Sequence, residues 1–113
     1  MEQIYYKNES VPVAGSYDTV ILGEGPAGIS AGISAAKGGC RTILIEKGIC
    51  CGGTATRGLV SPMMPSHVEH GNNFNEIEQA LLQLGSQTRD NCMGYVWFNK
   101  EQLSLVLEEL FLK

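Results

Sequence analysis

Gly23-Glu24-Gly25-Pro26-Ala27-Gly28 has the spacing G-x-G-x-x-G, and a carboxylate, Glu46, follows 18 positions after the last glycine. In a chain with 14 glycines the pattern alone is a weak signal. Its surroundings strengthen it. It follows an apolar run, opens a helical stretch and precedes an acidic residue at the end of a second apolar run, which is the context of a dinucleotide site. Each residue type has a physical reason. Gly23 permits a tight turn out of a strand. Gly25 has no side chain, so a pyrophosphate can approach the backbone. Gly28 lets a helix pack closely on the strand. Pro26 suits the first helical position, where its missing N–H would have no partner anyway. The free amides of that first turn, which Ala27 and Gly28 share, favour a phosphate, with the helix dipole behind them. Glu46 would accept hydrogen bonds from ribose hydroxyls, and its charge would repel a 2′-phosphate. Glu24 is the awkward member, because a carboxylate so near a diphosphate is unhelpful unless it points to solvent.

The elements that must position these residues follow from the pattern around them. Tyr17 to Leu22 ends in Val20-Ile21-Leu22 and suits a strand buried on both faces of a parallel sheet. Ile29 to Lys37 is rich in Ala, Ser and Ile and reads as a helix stopped by Gly38 and Gly39. Arg41 to Ile45 is a second strand. Strand, glycine turn, helix and strand over residues 17–47 make a right-handed βαβ unit with parallel strands. Residues 1–16 read as a polar leader with no sustained period. Residues 48–73 are dense in Gly, Thr, Ser and Pro and read as a loop. Residues 74–113 read as a helical segment with one short strand at Tyr95–Phe98. Ile77, Ala80, Leu81 and Leu84 fall at helical spacing, and Gly85 is a fitting stop. Asn99 can cap the last helix, with Gln102 in the capping-box position, and Leu103, Val106, Leu107, Leu110 and Phe111 share one face. That helix reaches Lys113 without a stop signal, and its apolar stripe has few candidate partners. The fold class expected is therefore α/β, a Rossmann-like unit in an incomplete domain.

Composition sets bounds on function. The 113 residues are 43% hydrophobic and 18% charged, enough apolar material for a core. A net charge of −4 leaves no basic footprint, so nucleic acid is not an expected partner. No apolar run approaches the length of roughly 18 residues that spans a bilayer. The first residues lack a secretory pattern, and a cytoplasmic location is expected. Cys40, Cys50, Cys51 and Cys92 match neither a disulfide framework nor paired metal-ligand spacing, and are read as reduced thiols.

At this point the sequence resembles a family. Tyr17-Asp18-Thr19-Val20-Ile21-Leu22, followed by the glycine turn, resembles the opening of the glutathione-reductase-type flavoproteins. The Gly-Pro-Ala-Gly ending is more typical of their FAD-binding members than of NAD dehydrogenases. Ile43-Leu44-Ile45-Glu46-Lys47 resembles their second strand, and places Glu46 and Lys47 with the cofactor. Gly52-Gly53-Thr54-Ala55-Thr56-Arg57-Gly58-Leu59-Val60 is similar to the double-glycine stretch of one subgroup, the FAD-dependent oxidoreductases related to heterodisulfide reductase. The likeness implies that Gly52, Gly53 and Thr54 lie over the diphosphate of FAD. Two glycines would let the backbone close on the ligand, and Thr54 would offer a hydroxyl. The match is good from Tyr17 to Pro65. It implies an FAD-dependent oxidoreductase exchanging electrons with a small molecule or protein that the sequence does not identify.

Two departures qualify the likeness. The wider superfamily's redox cysteines follow the double glycine, but Thr54 to Gly58 contains no cysteine. Relatives of heterodisulfide reductase often hold iron–sulfur clusters, and no cluster-type cysteine run is present here. The second departure is length, because family members are several-fold longer. The chain reads as the front segment, which holds the ADP half of the cofactor and carries no nameable catalytic residue. Two other readings stay open. One is a nucleotide-binding module without catalysis. The other is a segment of an NAD-dependent dehydrogenase, which the Gly52-Gly53-Thr54 stretch disfavours. His67 and His70 could share a metal, but read as solvated loop histidines. Trp97, Tyr95 and Phe98 read as core.

Overall fold

The computed structural model describes residues 3–66 and 68–113. Its centre is the expected unit. Strand β3 (Thr19–Leu22) leads through the glycine turn into helix α1 (Pro26–Lys37), which returns to strand β4 (Thr42–Ile45). β3 and β4 pair in parallel, with Val20 opposite Ile43 and Leu22 opposite Ile45. Asp18 fixes the start of the pairing. Its backbone N–H donates to the Arg41 carbonyl at 2.9 Å, and its carboxylate accepts the Arg41 N–H at 2.8 Å.

β3 is not buried on both faces as its apolar run predicts. Ile21 faces α1, while Val20, Leu22 and Ile45 are 55%, 79% and 51% exposed. The reason is geometric. Side chains alternate along a strand, and α1 covers one face of this two-stranded sheet.

Before the sheet, the polar leader contains an antiparallel hairpin of β1 (Gln3–Tyr6) and β2 (Glu9–Pro12). Lys7 and Asn8 turn it with φ of 50° and 67°. Positive φ at both central residues is the turn geometry whose twist matches that of the two strands.

Beyond the sheet, residues 48–73 are not all loop. They hold one 3-10 turn (Gly53–Ala55) and a short strand β5 (Pro62–Met63). Helix α2 (Asn72–Gln83), strand β6 (Gln87–Arg89), strand β7 (Val96–Phe98) and helix α3 (Lys100–Leu112) follow. β5, β7 and β6 form a second, antiparallel sheet with β7 central.

The fold supplies partners for the apolar stripe of the last helix. Leu103, Val106 and Leu107 are buried with Ile29 and Ile33 of α1, Leu81 of α2 and Phe98 of β7. Each such side chain contributes about 1.5–3 kcal/mol by leaving water. Phe111 reaches α1 because residue 32 is glycine, where a Cβ would lie 2.5 Å from the ring. Asn99 caps α3 by accepting the Gln102 N–H at 3.0 Å. The Asn99 N–H itself donates to the Ser86 carbonyl at 2.9 Å, so it is the chain before β6 that satisfies it.

Candidate functional site

The glycine turn forms as its spacing requires. Gly23 has φ +99°, a conformation that side chains rarely adopt. A Cβ at Gly28 would collide with the Gly23 carbonyl oxygen, so α1 can start this close to β3 only with glycine there. Gly25 is different. Its backbone is extended at φ −70° and ψ 174°, and a Cβ there would meet nothing within 4 Å. The space in front of it is open.

That space faces a helix start with unused donors. The first helical bond runs from the Ile29 N–H to the Gly25 carbonyl at 3.0 Å. Among the described residues the N–H groups of Gly25, Ala27 and Gly28 have no acceptor, α1 has no side-chain cap, and its first turn carries no acidic residue. Pro26, at the first helical position, brings no N–H. Three amide donors and the positive end of a helix dipole thus lie at the helix start beside the open space at Gly25, a donor set that suits a phosphate.

Two further segments close on this turn. Glu46 follows β4 directly. Its Oε2 accepts the Glu24 N–H at 2.8 Å, and its Oε1 accepts the Gly48 N–H at 2.6 Å and Arg57 Nη2 at 3.1 Å. The Glu46 side chain keeps only 9% of its exposure. The Glu24 and Gly48 amides, with the nearby Arg57 charge, hold its carboxyl below the usual carboxylate range, while burial acts in the other direction.

The double-glycine stretch is the second segment. The Gly52 N–H donates to the Glu24 carbonyl at 2.8 Å, and a Cβ at Gly53 would lie 2.8 Å from the Gly25 Cα. Gly52 and Gly53 hold φ of +104° and +53°. The stretch then folds on itself. The Gly58 N–H donates to the Gly53 carbonyl at 3.0 Å and the Val60 N–H to the Thr54 carbonyl at 3.0 Å.

The structure therefore brings Gly23, Gly25, Pro26, Ala27, Gly28, Glu46, Gly52 and Gly53 together. Thr54 is exposed next to them, with its hydroxyl unbonded among the described residues. Lys47 is exposed and makes no hydrogen bond or ion pair among the described residues. Glu24 is half-buried. Its carboxylate sits against Cys51, whose thiol burial pushes up to about 12, with Glu24 adding to the rise. That thiol stays protonated and makes a poor nucleophile.

Four residues that spacing does not single out complete the site. Thr56 is 4% exposed, and its Oγ1 donates to the Cys51 carbonyl at 2.6 Å. Cys51 is buried below the loop. Arg57 reaches Glu46 across Gly48, where any Cβ would overlap the guanidinium. No sequence pattern announces a loop arginine that folds back 11 residues along the chain.

An apolar cleft of about 330 Å³ adjoins the helix start, lined by Pro26, Gly52, Ala55, Met63, Phe74 and Leu107. His70 is exposed and stacks on Phe74 with ring centroids 4.1 Å apart. His67 lies outside the described residues. Among the described residues, no three or more of His, Cys, Asp and Glu cluster as metal ligands would. No helix among them is long and apolar enough to cross a membrane.

The parallel strands, the glycine turn and the crossover helix define a Rossmann-like α/β unit. Residues 18–113 match the FAD dependent oxidoreductase family, and the chain belongs to that family. Over 41 residues it is 49% identical to the soluble pyridine nucleotide transhydrogenase of Chromohalobacter salexigens, a stretch covering 36% of this chain and 9% of that protein. The crystal structure of Thermovibrio ammonificans THI4 shares its fold, with a TM-score of 0.56 and 21% identity, over 85% of this chain and 35% of that one. The chain thus spans about a third of its solved neighbour and under a tenth of the transhydrogenase.

Proposed function

We propose that this chain binds the ADP half of FAD for an oxidoreductase whose electrons pass through the flavin. The observation that carries the reading is the set of amides of Gly25, Ala27 and Gly28, unpaired among the described residues, beside the open space at Gly25. In this reading the diphosphate lies against those amides. Glu46 accepts from the adenosine ribose. Gly52 and Gly53 keep the second loop low enough for the cofactor to pass, and the exposed Thr54 hydroxyl donates to phosphate. Lys47, exposed beside Glu46, adds positive charge near the nucleotide. The bound flavin would supply hydride or single-electron transfer. The family match supports FAD as the dinucleotide. The likeness of the Gly52–Val60 stretch to relatives of heterodisulfide reductase supports that subgroup. The electron partner is a small molecule or protein, any iron–sulfur cluster would take its ligands from outside this chain, and a cytoplasmic location suits the reduced thiols.

The test is Gly25→Val in the full-length protein. A Cβ there meets nothing within 4 Å, and replacing a glycine N-cap by valine should cost only about 1 kcal/mol of stability. It would shut the diphosphate from its amides, and losing two charge-assisted hydrogen bonds of about 1.5–3 kcal/mol each costs at least a hundredfold in FAD affinity. Titration calorimetry with FAD, and the flavin absorption retained through purification, read the result. Unchanged FAD affinity in the variant would sink the proposal.

A further inference from the structure

A carboxylate offers about four lone-pair directions to donors. Among the described residues Glu46 has three occupied. Oε1 accepts both the Gly48 N–H and Arg57 Nη2, and Oε2 accepts the Glu24 N–H. One direction, on Oε2, stays open. A ribose presents two neighbouring hydroxyls, so the carboxylate cannot accept both while Arg57 holds Oε1.

Arg57 is placed for this contact by several features at once. The adjacent Thr56 is anchored under the loop through its bond to the Cys51 carbonyl. The loop closes through the bond from the Gly58 N–H to the Gly53 carbonyl. Gly48, lacking a Cβ, vacates the volume that the guanidinium fills. The pair is also lopsided, with the carboxylate 9% exposed and the guanidinium side chain 41% exposed. An ion pair of that exposure adds little to stability. What it does fix is the direction of the carboxylate.

We propose that Arg57 is a positioning residue for nucleotide recognition, locking Oε1 of Glu46 so that the carboxylate reads one ribose hydroxyl of the nucleotide through Oε2. This rests on the reading that the site holds an ADP moiety. The loop that follows the double glycine thereby sets the selectivity of a site on the other side of the turn.

The experiment titrates the full-length protein, freed of flavin, with ADP, 2′-deoxy-ADP and 3′-deoxy-ADP. In the unaltered protein one deoxy analogue should bind about tenfold or more weaker than ADP, the loss of one hydrogen bond to a charged acceptor, and the other should match ADP within about twofold. In Arg57→Gln the charge that holds Oε1 is gone. The carboxylate is then free to accept either hydroxyl, and the gap between the two analogues should shrink below about threefold. Arg57→Lys keeps a cation on Oε1 and should restore the asymmetry, which a general loss of packing would not do. Equal weakening by both analogues in the unaltered protein overturns the proposal, as does an asymmetry that persists in Arg57→Gln. ADP that binds without asymmetry sinks this inference alone, whereas no ADP binding at all sinks the nucleotide site and this inference with it.

Discussion

The two glycine-rich segments, Gly23–Gly28 and Gly52–Gly58, meet at one site but use glycine for different reasons. In the first, Gly28 is a matter of crowding and Gly25 a matter of vacancy. One would drive a side chain into backbone, and the other would project it into empty space. In the second, Gly52 and Gly53 add a demand of conformation to that of crowding, with positive φ at both. The first segment joins a strand directly to a helix. The second is a surface loop held by its own hydrogen bonds and by Thr56. The contrast teaches that a glycine motif is not one signal. A glycine required by crowding carries the fold, whereas the open space at Gly25 places no such demand on the fold and is where the proposed diphosphate would lie.

The comparison breaks hardest at Gly28. Gly28→Ala places a methyl group on the Gly23 carbonyl oxygen, and backbone cannot rotate away as a side chain can. We expect a loss of about 3 kcal/mol or more, a large fraction of a domain's stability and a marked fall in the urea midpoint. A variant that unfolds with the unaltered midpoint would show that α1 can lift off β3 at little cost.

Gly53→Ala tests the second segment and should cost less. It forces a Cβ into the left-handed region at φ +53° and to 2.8 Å from the Gly25 Cα. A strained residue of this kind costs about 1–3 kcal/mol, part of which a loop relieves by shifting. Thermal unfolding should therefore show a reduced midpoint with cooperativity intact. A loss equal to that of Gly28→Ala would erase the distinction between the segments.

The same difference explains what the sequence made legible. The βαβ unit shows because crowding, strand burial and helix packing all act within about 30 residues of chain. Glu46 was placed by its distance from Gly28 and by the strand before it. α3 was legible from Asn99 and its apolar stripe. Its partners were not, since Leu81 and Ile29 come to it only through the tertiary fold. The hairpin at residues 3–12 offers little signal because its turn, Lys7-Asn8, contains no glycine and its described side chains are exposed, which leaves no alternation to read. β5 and β6, of two and three residues, are too short for any period. Arg57 was invisible for a related reason. Its contact with Glu46 depends on the room left by Gly48, and a glycine after a strand looks like an ordinary turn.

The smallest expected effect concerns the group that joins the two segments. Glu46 takes a hydrogen bond from the first through the Glu24 amide and from the second through Arg57. Those bonds, with that of Gly48, favour the ionised form in the folded chain, so its pKa is lowered from the ordinary 4.5. The sign follows from linkage. A carboxyl with a depressed folded pKa contributes stability that is fully present above its unfolded pKa and is lost as pH falls through the folded one. The window is therefore the acid side of 4.5, with no effect at neutral pH beyond a constant offset. Glu101, lowered by its hydrogen bond with Lys100, acts in the same direction, so the unaltered protein's acid slope is not Glu46's alone. The difference between the unaltered protein and Glu46→Gln isolates it. Urea midpoints measured from neutral pH down into the acid range should converge as pH drops, because protonation gives the native carboxyl the neutral character that glutamine has throughout. Curves that stay parallel across the acid range would mean that Glu46 does not couple the turn to the loop, and that the two glycine segments meet without a shared charge.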